Sequence, residues 1–172
     1  MPAIHSFEPI VGPHANILIL GSMPGEASLA AHQYYAHPRN AFWPIIAPLL
    51  KIQADAPYHE KVAALRSSPF ALWDVFKSCE RTGSLDAMIR NDNFILNDFV
   101  SLFSSHQQIR FVFFNGGTAE RYFLRYVVPA CDLTHLQLSR LPSTSPANAS
   151  ISFADKGARW HEPIQAALER IN

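Results

Sequence analysis

Charge is scarce in this chain. Of its 172 residues only 16% are Asp, Glu, Lys or Arg, and the two signs cancel to a formal net charge of zero. No field of one sign is available to hold the protein on bulk nucleic acid, on an anionic membrane or on an acidic partner. A few phosphates can still be gripped through backbone amides and hydroxyls. Lysine is scarcer still, four against ten arginines, and Arg suits planar, bidentate contacts to phosphates or base edges. Cysteine is limited to Cys79 and Cys131, which match no metal spacing and read as buried thiols in a reducing compartment. The histidines are scattered, and His32 and His37 lie off the i, i+4 spacing of a helical metal pair, so no metal site is expected. No apolar run approaches the ~20 residues of a membrane span. The chain also lacks a basic start followed by a long apolar run, so no signal peptide is expected and the expected location is the cytoplasm. Repeats, low-complexity tracts and linkers are missing, which leads us to expect one domain over residues 1–172 and a monomer.

What is abundant is apolar residues, 48% of the chain, enough for a full core. "NILILGSMPG" starts as a continuous apolar run, Ile17 to Leu20, and ends in a turn, the pattern of a strand buried on both faces. "FALWDVFKSC" reads as a second strand ending near Asp74 or Val75, "IRFVFFNGG" as a third, and "LTHLQLSRLPSTSPAN" as a fourth running into a Pro/Ser-rich loop. "AFWPIIAPLL", "PYHEKVAALRSS", "NDNFILNDFVSLFSSH", "TAERYFLRYVV" with Thr118 as N-cap, and roughly 155 to 170 read as helices. This alternation predicts an α/β fold, a three-layer sandwich with a central, mostly parallel four-stranded sheet flanked by helices.

In open α/β sheets, ligands bind outside the carboxyl ends of the strands. The segments leaving those ends are "GSMPGEAS", the turn at Asp74, "NGGT" and "LPSTSPAN". None is a phosphate-cradling P-loop or a dinucleotide Gly-x-Gly-x-x-Gly turn. "LPSTSPAN" offers hydroxyls and amides to one or two phosphates, or is an ordinary surface loop. "YYAHPRNAFW" follows the first loop closely and should lie over the same edge. Phe42 and Trp43, beside an apolar helix, read as core. Tyr35, on the loop side of Pro38, can stack on a flat ring, with His37, Arg39 and Asn40 adding hydrogen bonding, and such a combination suits a nucleobase.

Taken in order, "GSMPGEASL", "YYAHPRNAFW", "LWDVFKSCERTGSLD", "FFNGGTA" and "LPSTSPANA" resemble the uracil-DNA glycosylase superfamily, and within it the hypoxanthine-DNA (deoxyinosine) glycosylase branch. The resemblance runs from about residue 16 to 150. It implies hydrolysis of the N-glycosidic bond of a deaminated base flipped out of double- or single-stranded DNA, leaving an abasic site. It also implies base-binding roles for Gly21, Ser22, Met23, Pro24, Tyr35 and Asp74, and DNA-backbone contacts from Ser143, Thr144, Ser145 and Asn148. Mismatch-type members carry Asn where this chain has Met23. In the hypoxanthine branch the catalytic amide is that of the "PRN" element, here Asn40. Asp74 stands where relatives place an Asn that reads the base edge, and an ionised Asp74 would accept from N1–H of hypoxanthine. No cofactor is implied, since two cysteines cannot hold the iron–sulfur cluster that some relatives carry.

Plainer readings stand beside these. Asn40 caps the helix that starts at 41, alone or as well. Asp74 pairs with Arg81 or Arg39. Arg121 and Arg125 form a solvated helix face or touch DNA. The side chain that fills the vacated stack is not legible, with Ile151 and Phe153 the apolar candidates between 146 and 153. The rivals to deoxyinosine excision are a uracil/mismatch-type glycosylase acting on deoxyuridine, and a damaged-DNA or nucleotide-binding module without catalysis.

Overall fold

The computed structural model describes residues 2–172. Along the chain lie β1 (Ile4–His5), β2 (Ile17–Gly21), α1 (Glu26–Ala31), α2 (Phe42–Leu50), α3 (Tyr58–Ser67), β3 (Phe70–Asp74), β4 (Phe76–Arg81), β5 (Ile89–Leu96), α4 (Phe99–Ser105), β6 (Phe111–Asn115), α5 (Gly117–Tyr122), β7 (Gln137–Leu141) and α6 (Phe153–Ile171). The central sheet has four parallel strands in the order β3-β2-β6-β7. β2, the most continuous apolar run, lies inside it with every residue buried.

Side chains of a strand alternate between faces, and β2 shows it. Ile17 and Ile19 join a core with Phe42, Ile45 and Ile46 of α2 and Trp160 and Ile164 of α6. Leu18 and Leu20 join a second core with Phe99, Leu102 and Phe103 of α4, Ala119 and Tyr122 of α5, and Phe123. The three layers expected from the alternation of strands and helices are therefore present, with one core on each face of the sheet. Among the described residues no helix is long and apolar enough to cross a membrane.

Three local expectations change, and one strand is added. The strand from Phe70 leaves the parallel sheet after Asp74, within the expected bounds, but the rest of the run forms the unexpected β4, which pairs with β1 and β5 in a separate antiparallel sheet. The break comes from tertiary hydrogen bonds, since Val75 N and Phe76 N donate to the carbonyls of Gly21 and Ser22 at 2.8 and 3.0 Å. Residues 91–96, expected to start a helix, belong to strand β5; the helix begins at Phe99, where the Asp98 carboxylate accepts from Ser101 N at 3.0 Å. "GEAS" holds the short helix α1 rather than loop alone. Thr118 is inside α5 rather than its cap, and the cap position belongs to Gly116, whose φ of 93° lies in the left-handed region.

Candidate active site at the carboxyl edge of the sheet

The parallel register brings the strand ends level, with Gly21 beside Asp74 and Asn115 beside Leu141. Outside this edge lies a cavity of about 750 Å³. The residues expected to bind the base, to supply the catalytic amide and to contact the DNA backbone line it: Gly21, Ser22, Met23, Pro24, Tyr35, Asn40, Asp74, Ser143, Thr144, Ser145 and Asn148. Arg39, Arg121, Arg125, Ile151 and Phe153 do not. His37, Leu85, Asp86 and Asn115 line it as well. The volume suits a purine with its sugar as readily as a pyrimidine.

Tyr35 has a φ of 55°, rare for an aromatic residue and a sign of a backbone held by its surroundings. One face of its ring lies on Phe42, with centroids 4.0 Å apart and planes at 23°. Phe42 is fully buried, so that face of Tyr35 is closed. The Tyr35 hydroxyl accepts from Asn115 Nδ2 at 3.1 Å. Burial, with the Asp74 charge second, pushes the phenol pKa up.

Asn40 has two duties in view. Its Oδ1 accepts from Phe42 N at 2.9 Å. It therefore supports the start of α2 from one residue before the cap position, which is Ala41. A carbonyl oxygen carries two lone pairs, so one remains, in an amide oriented by the Phe42 bond. Ala41 N donates to Thr144 O at 3.0 Å, which ties the "PRN" turn to the serine-rich loop.

Within that loop the groups differ. Thr144 is 1% exposed. Its Oγ1 accepts from Asn115 Nδ2 at 2.9 Å, and its N donates to Asn115 Oδ1 at 2.9 Å. It holds the loop and is too buried to offer its hydroxyl to a DNA phosphate. The partly buried Ser143 and Ser145 accept through Oγ from the amides of Ser145 and Ala147, leaving their hydroxyl protons to donate. Asn148 Nδ2 closes the loop on Ser143 O at 3.0 Å. Helix α6 holds both loop ends: Trp160 Nε1 donates to Pro142 O at 2.8 Å and Lys156 Nζ to Asn148 O at 2.9 Å. The buried Lys156 ammonium puts a positive charge behind the serines.

Asp74 is 3% exposed and, among the described residues, has no ion-pair partner. Neither Arg81 nor Arg39 bonds to it. Oδ2 is buried without a hydrogen bond, and Oδ1 lies against Gly21. Burial foremost, then the nearby Asp86 carboxylate, pushes its pKa up to about 7, with Arg81 opposing. Arg81 instead donates to Pro24 O and to Gly83 O and lies 4.0 Å from Asp86. Asp86 accepts from Ser22 Oγ at 2.7 Å, and burial raises its pKa too. Met23, in the place of a polar residue in the mismatch branch, is buried in the α4/α5-side core and contributes packing.

Asp86, Arg81 and Lys156 were not legible as site residues. Asn115 could have been found, because it ends the clearest strand at the same edge as Asp74. Among the described residues no three His, Cys, Asp or Glu side chains gather as a metal site.

The model of the uracil DNA glycosylase superfamily matches residues 9–169. The chain belongs to that superfamily. A "Hypoxanthine DNA glycosylase" of Methanosarcina barkeri is 35% identical over 92% of this chain and 96% of its own length. A second protein of that name, from Methanosarcina acetivorans, is 33% identical over 90% and 93%. The solution NMR structure of a Methanosarcina acetivorans protein, provisionally described as a uracil DNA glycosylase, superposes with a TM-score of 0.73 at 30% identity, over 91% of this chain and 96% of that one.

In this superfamily member Gly21 is required for space. A Cβ there would lie 2.5 Å from Asp74 Oδ1 and 2.8 Å from the Tyr35 hydroxyl oxygen. Gly21→Ala is expected to displace both groups, destabilising the protein by about 1–3 kcal/mol and lowering base excision about tenfold or more through lost positioning. Denaturant unfolding and single-turnover excision measure the two effects separately.

Proposed function

We propose that the protein is a monofunctional DNA glycosylase that hydrolyses the N-glycosidic bond of hypoxanthine in deoxyinosine and leaves an abasic site. The observation that carries this reading is the shared cavity of Asn40 and Asp74: an oriented amide with a spare acceptor lone pair, and a carboxyl group without a partner. Membership of the superfamily and the names of the two relatives point the same way.

The residues supply positioning rather than strong acid–base chemistry. The free lone pair of Asn40 Oδ1 accepts from a water and aims it at C1′. The C1′–N9 bond breaks with its electron pair going to the base, the water oxygen bonds C1′, and the surplus proton leaves to solvent or to the departing base. An amide is too weak a base to take that proton, so the acceleration rests on geometry and on stabilising the leaving base. Tyr35, backed by Phe42, stacks on the flipped ring through its open face. The Ser143 and Ser145 hydroxyls, whose protons are free to donate, hold the flanking phosphate, with Lys156 adding charge from behind.

Asp74 acts in its neutral form. A pKa near 7 makes the ionised carboxylate the minor species below that pH, and bound phosphates push the pKa further up. A neutral carboxyl donates to O6 of hypoxanthine, whereas a carboxylate would repel the negative charge growing on the leaving base. The same neutral carboxyl keeps its carbonyl oxygen as an acceptor for N1–H, so one side chain can pair with both groups of the hypoxanthine edge.

The test is an end-labelled duplex carrying one deoxyinosine or one deoxyuridine, incubated with the protein and then treated with alkali. Strand scission at deoxyinosine is the expected result. Scission at deoxyuridine alone moves the substrate and keeps the chemistry. Binding without scission of either identifies a damaged-DNA binding module instead.

A further inference from the structure

Extruding a base opens a gap in the DNA stack, and the extruded state persists only if something fills it. The loop from Ser143 to Asn148 presents Ser, Thr, Ser, Pro, Ala and Asn, with no large apolar side chain. Phe153 is exposed but lies outside the cavity lining, and Ile151 lines a neighbouring depression instead.

The β4–β5 hairpin offers something different. Leu85 lines the cavity and is 54% exposed. A lone exposed leucine ordinarily needs no explanation, but this one is carried on a segment fastened to the cavity-lining turn on both sides. Ser84 Oγ accepts from Glu26 N at 2.9 Å, and Asp86 accepts from Ser22 Oγ at 2.7 Å. Arg81, at the hairpin base, is buried and donates to Pro24 O. The tip therefore holds a large apolar side chain rigidly at the rim, without covering it. Met88, 52% exposed at the end of the same turn, extends the apolar surface.

We propose that Leu85 is the wedge, entering the stack of duplex DNA at the position the base vacates. The proposal rests on the glycosylase reading above. A rigidly presented apolar side chain loses little conformational freedom on insertion, and the stack supplies the burial that the free protein denies it.

The measurement compares single-turnover excision of deoxyinosine in a duplex with that in a single strand, where no stack has to be held open. For Leu85→Ala we expect the duplex-to-single-strand ratio to fall about 10- to 100-fold, with Leu85→Met restoring most of it. Phe153→Ala should keep the wild-type ratio. A wild-type ratio in Leu85→Ala, or a fall in Phe153→Ala in its place, overturns the proposal. Binding gives a readout independent of excision. A 2-aminopurine next to the deoxyinosine should brighten when the wild-type protein binds the duplex, and much less with Leu85→Ala. If the wild type cuts neither substrate, the glycosylase reading fails while the fluorescence still decides whether Leu85 enters the stack; equal brightening by both proteins rules it out.

Discussion

Replacing Asn40 by alanine should lower single-turnover excision of hypoxanthine by about 10²- to 10³-fold, the range measured when one preorganised polar group is lost from an active site. The same substitution removes the acceptor for Phe42 N, which costs about 0.5–2 kcal/mol of stability. The two roles separate by choice of side chain. Asn40→Ser keeps a capping oxygen but is too short to present a second acceptor to water, so stability should recover while excision stays low. Asn40→Asp keeps both the capping oxygen and an acceptor facing the water, so it should retain far more activity than serine. Thermal unfolding and single-turnover rates on the three variants give the comparison. Excision within a few-fold of wild type in Asn40→Ala would remove Asn40 from the mechanism and leave it as a structural residue of α2.

The central sheet was legible because its strands advertise themselves. Ile17–Leu20 and Phe111–Phe114 are unbroken apolar runs closed by glycine, and nothing but a doubly covered strand fits them. The site was legible for a topological reason, since parallel strands bring their carboxyl ends to one edge. The β4–β5 hairpin was not. The end of the strand near Asp74 or Val75 was expected, but no glycine or proline within Phe70–Cys79 marks a second strand after it, and the chain is turned there by carbonyls of Gly21 and Ser22, more than fifty residues away in sequence. Residues 94, 95 and 99 fell on helical spacing by coincidence. Phe94 packs edge-on against Phe76 and Tyr122 while Ile95 points away and is 60% exposed, the alternation of a strand. Missing the hairpin meant missing Asp86 and Leu85, the residues it carries to the cavity. Asn115 was hidden differently: "NGG" reads as a turn, whereas its amide is spent on Tyr35 and Thr144, joining Tyr35 to the serine-rich loop.

Asp74 makes both stability and activity depend on pH, and both dependences should disappear in Asp74→Asn. The folded-state pKa of about 7 stands above the ordinary carboxyl value of 3.8. The native state therefore binds more protons than the unfolded state between these values, and stability falls as pH rises through that window. From pH 5 to pH 8 this one group should remove about 2–3 kcal/mol from the unfolding free energy of the wild type. Asp74→Asn stays neutral throughout, so the difference between the two proteins in denaturant titrations should be small at pH 5 and favour the variant at pH 8. Activity should follow the neutral form. Wild-type excision should decline above pH ~7, approaching tenfold per unit where only the protonated carboxyl is competent. Asparagine still donates to O6 and should hold its rate flat across the same range. An excision rate that instead climbs through pH 7 would show that the carboxylate is the working form, accepting from N1–H, and would reverse the role assigned to Asp74 while keeping its place in the pocket.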